Sequence, residues 1–144
     1  MVGKSLTVAS IGLFAGVALS YNSIIMPSLR KISSQNALPV WAHSYNVGKK
    51  FQVGFILTSL VTGVSVYSRT ENPYYLAGSL IMTSIIPYTL AFIMPVNNTL
   101  LSILDGKKSD SNIERLLTKW DQLHFGRTLM GVAAFGLVLF GELS

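Results

Sequence analysis

SLTVASIGLFAGVALSYNSIIMPSL, residues 5–29, runs without a single charged side chain. At 1.5 Å per residue, a helix of this length exceeds the ~30 Å hydrocarbon core of a bilayer. Three more uncharged stretches follow, at residues 51–68, 72–104 and 128–141. The last is only about 21 Å long as a helix. It reaches across a membrane when the helix begins near Trp120, and His124 and Arg127 then sit at or below headgroup level. The expected spans are residues 5–26, 51–68, 74–95 and 120–141. The fold class expected is all-α, an antiparallel four-helix transmembrane bundle, with residues 1–144 forming one integral membrane domain.

Composition agrees. Of 144 residues, 50% are hydrophobic and 12% charged, and the mean hydropathy is +0.49. A soluble domain carries about 25% charged residues, so this chain cannot cover a watery surface and takes membrane lipid as its surroundings. It has no cysteine, which excludes disulfides, iron–sulfur clusters, thiolate zinc sites and cysteine nucleophiles. The net charge of +5 does not signal nucleic acid, because no dense basic stripe exists and membrane proteins gather Lys and Arg at one interface.

The first span has features of a signal peptide: Lys4 precedes it, and Ala18-Leu19-Ser20 loosely resembles a cleavage site. Gly12, Gly16 and Ser20 instead form a small-residue face suited to helix packing, as do Gly54, Thr58 and Thr62 on the second span. The span is therefore read as retained, and such faces as a route to homo-oligomers. Arg30, Lys31, Lys49 and Lys50 follow span one, and Lys107, Lys108, Arg115 and Lys119 follow span three. With an even number of spans both basic loops lie on one side, expected to be cytoplasmic in an endomembrane such as the endoplasmic reticulum. The sequon Asn97-Asn98-Thr99 then faces away from the glycosylation machinery. No internal repeat or domain boundary is evident.

Polar groups in or near spans cost several kcal/mol in hydrocarbon unless paired, so four clusters stand out. Trp120, His124 and Arg127 share one helix side; they suit a general base beside an anion stabiliser, or equally an interfacial Trp and His with a snorkelling Arg. Asn97 and Asn98 follow Pro95 and suit a polar ligand or a helix end. Trp41, Tyr45 and Lys49 lie four apart, as one face of an interfacial helix entering span two or as an aromatic belt with a positive-inside Lys. Asn22, beside Tyr21, is uncommon in lipid and faces either another helix or a ligand. His43, His124 and Asp121 formally make a non-haem iron triad, although nothing in their spacing favours one. There is no phosphate-binding loop, nucleotide fingerprint or Ser-His-Asp context.

The run IPYTLAFIMPVNNTL (residues 86–100) resembles the third-helix signature of the fungal anthrone oxygenase family, with Pro87-x-Thr89 followed by Pro95-x-Asn97-Asn98-x-Leu100. LLTKWDQLHFGR (residues 116–127) resembles the same family's Trp-x3-His-x2-Arg signature at the start of helix four. Trp41, Tyr45, Gly48 and Pro27 match weaker family positions, so the likeness covers nearly the whole chain.

The resemblance implies a membrane-bound oxygenase of aromatic polyketide secondary metabolism, converting an anthrone such as emodin anthrone to the anthraquinone. Dioxygen is the co-substrate, and no metal or flavin cofactor is expected. In that reading His124 and Arg127 are catalytic, as proton acceptor and oxyanion stabiliser. Asn97 and Asn98 orient substrate oxygens, and Trp120, Trp41, Tyr45 and Asn22 complete the substrate site. The competing readings are a non-enzymatic membrane assembly or accessory protein and a lipid or quinone carrier. Convergence of Asn97, Asn98, His124 and Arg127 on one cavity separates them.

Overall fold

The computed structural model describes residues 1–109 and 112–144. Four helices account for nearly all of them: α1 Val2–Leu29, α2 Ser34–Thr70, α3 Pro73–Leu104 and α4 Ile113–Leu143, each long and apolar enough to cross a membrane. No strand occurs among the described residues. Short connections force successive helices to run antiparallel. α1 and α3 each pack against both α2 and α4, while α1 and α3 barely touch one another. The result is an up-down-up-down square.

The helices outrun the uncharged stretches. α2 starts at Ser34, well before residue 51, capped by Ser33 Oγ, which accepts from the Asn36 amide. α4 starts at Ile113 rather than near Trp120. α3 does not end at Pro95 but continues to Leu104. Hydropathy marks where lipid begins, whereas a helix continues as long as its backbone bonds hold. Pro95 is absorbed by a π-helical turn, Thr89–Ile93, in which the Met94 amide reaches back to Thr89 O. α1 uses the same device: a π-helical turn at Tyr21–Ile25 precedes Met26-Pro27. A proline has no N–H and its ring crowds the carbonyl four residues back, and one extra residue in the turn moves that carbonyl away.

These paired turns expose a repeat that the sequence alone did not show. Tyr21 Oη donates to Ser44 O at 2.5 Å, across from α1 to α2. Tyr88 Oη donates to Leu123 O at 2.8 Å, across from α3 to α4. Each hydroxyl lies so close to a glycine, Gly48 or Gly126, that no Cβ would fit. Trp41 stacks on Tyr45 in α2, and Trp120 stacks on His124 in α4. The two hairpins are thus built alike, as parallel repeats within one bundle.

Two apolar cores fill the square. One, at the end with the basic loops, contains Met26, Leu29, Trp41, Val96, Leu117 and Trp120. The other contains Ile11, Phe14, Ile56, Tyr75, Met82 and Val138. Along α1, α2 and α4, the residues Asn22, Gln52, His124, Arg127 and Thr128 fall between the two. Large side chains such as Leu13, Leu57, Leu80, Phe92 and Leu129 point outward, an apolar exterior compatible with a membrane-spanning bundle. Gly16 and Gly54 meet nothing within 4 Å and are exposed. Other members of the two stripes do pack the bundle: Gly12 lies against Phe135 of α4, and Thr62 Oγ1 accepts from Thr7 Oγ1 of α1. Close approach occurs elsewhere too, as where Gly131 lies against Phe14.

Candidate functional site

α4 carries the centre of the polar layer because four-then-three spacing turns Trp120, His124 and Arg127 inward, leaving them 2%, 1% and 7% exposed. His124 lies nearly parallel to Trp120, with ring centroids 4.7 Å apart, and beside Tyr21 at 5.1 Å. Trp120 meets Trp41 edge-on at 5.7 Å, and Trp41 stacks on Tyr45 at 5.4 Å. A series of four aromatic rings therefore runs from His124 through Trp120 and Trp41 to Tyr45.

The polar partners come from all four helices. Asn22 Nδ2 donates to Asp121 Oδ1 at 2.6 Å and to Asp121 O at 3.0 Å. Asn22 Oδ1 accepts from Thr128 Oγ1 at 2.6 Å and lies 3.3 Å from His124 Nδ1. Asp121 also pairs with Arg30. Asn97 is fully buried, and its Oδ1 accepts from Trp120 Nε1 at 2.6 Å. Arg127 Nη2 donates to Gln52 Oε1 at 2.7 Å, and its guanidinium lies 5.7 Å from the Phe14 ring centroid. Among the described residues no carboxylate forms an ion pair with Arg127.

Three buried polar atoms have no partner: Trp41 Nε1, Gln52 Nε2 and Arg127 Nε. All three are donors. A buried donor left unpaired costs about 1–3 kcal/mol, and more when charged. Gln52 and Arg127 are already joined to each other, so their unused N–H groups share one locality.

Beside them, a cleft of about 180 Å³ opens between α2 and α3. Arg127, Tyr45, Lys49, Ile56, Ile85 and Met94 are among its walls. Its outer rim includes Val53 and Leu90, both exposed on the outside of the bundle. A groove of about 240 Å³ at the basic end, walled by Met26, Arg30 and Glu114, contains none of the residues with an unpartnered donor.

The structure therefore gathers His124, Arg127, Trp120, Trp41, Tyr45, Asn22 and Asn97 in one half of the bundle. It does not gather Asn98, which is exposed: adjacent residues on a helix point about 100° apart, so Asn97 and Asn98 cannot face one ligand together. Asn97 and Asn22 face inward, but toward Trp120 and Asp121. The iron triad is not assembled, because His43 is exposed on α2 and Asp121 is engaged by Arg30 and Asn22. Among the described residues no three His, Asp or Glu groups come within metal-binding reach of one another.

Gln52 is the residue that sequence reasoning missed. It is the one amide inside the 51–68 stretch, and the rule that polar groups in lipid need a partner applies to it directly.

Comparison with known proteins places this geometry in a family. Residues 41–137, the segment that carries Trp41, Gln52, Asn97, His124 and Arg127, match the family model described as anthrone oxygenase. Anthrone oxygenase ptaC from Pestalotiopsis fici is 25% identical over 112 residues, covering 69% of this chain and 79% of that protein. Anthrone oxygenase dmxR16 from a Cryptosporiopsis species is 29% identical over 138 residues, covering 89% of this chain and 80% of that one. No solved structure matches the chain. With two thirds of its length inside the family model, this four-helix chain belongs to the anthrone oxygenase family.

Proposed function

We propose that the protein is a multi-pass membrane oxygenase that converts a planar anthrone to its anthraquinone with dioxygen, within aromatic polyketide secondary metabolism. The observation that carries this reading is the pair of buried, unpartnered N–H groups on the joined Arg127 and Gln52, with Arg127 in the wall of an apolar cleft, and a third such donor on Trp41 in the aromatic series. A ligand that satisfies them offers oxygens on a flat, oily framework, and an anthrone with its carbonyl and phenolic oxygens is such a molecule. Arg127 lacks an anionic partner, and deprotonated anthrone supplies one.

The cleft is smaller than the roughly 300–1,000 Å³ of an enclosing ligand pocket. A three-ring substrate therefore enters edge-on from lipid between α2 and α3. His124 is not in the cleft wall. The route to it is the aromatic series that starts at Tyr45, into which a planar ring system slides.

His124 accepts a proton from the substrate's central methylene, and the electron pair left behind delocalises to the carbonyl oxygen, making an aromatic anthranolate. Arg127 and Gln52 donate to that oxygen, where negative charge develops in a low-dielectric setting. The anthranolate transfers an electron to dioxygen, and the two radicals join as a carbon-bound peroxide. Loss of the second methylene proton breaks the O–O bond, forms the new carbonyl and releases water. One dioxygen is consumed per quinone formed, and no step calls on a metal or flavin.

Oxygen uptake by membranes containing the chain, with emodin anthrone and a correction for spontaneous oxidation, tests the proposal. His124→Ala and Arg127→Ala should each lower the rate by about 10²-fold or more. Wild-type rates in both variants would remove the assigned roles. A non-catalytic assembly role draws support from the way Asn22, Asp121 and Thr128 satisfy one another, but it leaves the three unpartnered donors unexplained.

A further inference from the structure

The network behind His124 has a direction. Asn22 Nδ2 faces two oxygens of Asp121, the carboxylate Oδ1 and the backbone carbonyl. Both accept only. With its amide turned the other way, Asn22 would set its own oxygen against them. The orientation of Asn22 is therefore dictated by Asp121, and its Oδ1 must face His124 Nδ1 and the Thr128 hydroxyl. An oxygen opposite Nδ1 requires a proton on Nδ1, which leaves the lone pair on Nε2. The other carboxylate oxygen, Oδ2, is taken by Arg30, at the end of α1 beside the basic loop. Arg30 is half exposed and Asp121 nearly buried, so the chain runs from the bundle's end to the imidazole.

We infer that Asp121, gripped by Arg30, acts through Asn22 to hold His124 as the Nδ1–H tautomer, making Nε2 the proton acceptor and Asp121 and Asn22 positioning residues. The inference rests on the oxygenase reading only for its effect on rate. The tautomer itself is a property of the resting protein.

Asp121→Asn keeps the size of the side chain and changes the logic. The Arg30 guanidinium claims the one remaining side-chain oxygen, so the new amide presents its NH2 to Asn22. Asn22 then meets a donor at the closer contact, 2.6 Å, and keeps only the backbone carbonyl at 3.0 Å; the closer contact decides, so Asn22 turns over, its own NH2 faces Nδ1, and the imidazole proton moves to Nε2. Replacing Arg30 as well, in Arg30→Gln/Asp121→Asn, frees the amide oxygen to turn back toward Asn22.

The chain has two histidines, so a His43→Gln background leaves one imidazole. Nitrogen-15 NMR of that background, labelled at histidine, reads which ring nitrogen carries hydrogen. The expected result is Nδ1–H in the otherwise wild-type protein, Nε2–H in Asp121→Asn, and Nδ1–H again in the double variant. The kcat for anthrone oxidation should fall about 10²-fold in Asp121→Asn with KM little changed, and recover in the double variant. An Nε2–H signal in the His43→Gln protein with native Asp121 overturns the inference without any variant of the network having to fold. So does an unchanged tautomer in Asp121→Asn. Full activity of His124→Ala would instead sink the catalytic reading and leave the tautomer assignment standing.

Discussion

The α1–α2 and α3–α4 hairpins share one plan and differ in chemistry. Each has a π-helical turn before Met-Pro, a tyrosine that crosses to its partner helix and crowds a glycine, and a tryptophan stacked on the ring one turn later. At the ring position α2 carries Tyr45 and α4 carries His124. Two residues after the proline, α1 carries Leu29 and α3 carries Asn97. As a consequence, Trp120 Nε1 has an acceptor and Trp41 Nε1 has none. The packing devices are duplicated because, in the proposed membrane setting, both hairpins close without a hydrophobic driving force between helices and rely on close contact and interhelical hydrogen bonds. The chemistry is not duplicated. One hairpin contributes the imidazole and guanidinium, and the other contributes Tyr45 and the unfilled donors of Trp41 and Gln52.

Six substitutions break or sharpen this comparison. His124→Tyr makes α4 imitate α2, and should lower oxygen uptake with anthrone by about 10²-fold or more, whereas Tyr45→Phe, which keeps its stack, should stay within about tenfold. Asn97→Leu makes α3 imitate α1 and leaves Trp120 Nε1 buried without an acceptor. Unfolding in mixed micelles should show a loss of about 1–3 kcal/mol. The reverse change, Leu29→Asn, offers Trp41 Nε1 an acceptor. It should leave stability equal or higher by up to about 1 kcal/mol and raise the KM for anthrone, because a donor reserved for substrate is then occupied. An unchanged KM would mean that Trp41 Nε1 does not meet the substrate. Smallest of all, Tyr21→Phe and Tyr88→Phe should each cost about 1 kcal/mol and by matching amounts. A large disparity would show that the two crossings are not equivalent.

Much of the bundle was legible in the chain. Long uncharged runs separated by Lys and Arg are a local signal, and the structure returns four helices where they lie. Helix ends were less legible: Pro95 reads as a stop, and only the π-helical turn of α3 shows how the helix passes it. The repeat was hidden because His stands opposite Tyr and Asn opposite Leu. In the site, the shared helix side of Trp120, His124 and Arg127 followed from their spacing, but only packing shows that this side faces inward. Asn98 and Asn97 looked like a pair in sequence, but helical rotation separates them. Gln52 carried the right signal and was overlooked, since a single amide in an apolar run is easily passed over.

Sequence by itself determined the number of helices, their order and the end of the bundle that gathers positive charge, because transfer into lipid is nearly a sum over neighbouring residues. Tertiary structure decided which polar groups are spent on each other and which are left over. Asn22 reaches Asp121 and His124 from a helix about a hundred positions away, and Arg127 reaches Gln52 from across the square. Hydrogen bonds between helices depend on register and rotation, which no run of adjacent residues encodes, and the unpartnered donors that point to a ligand emerge only from that pairing.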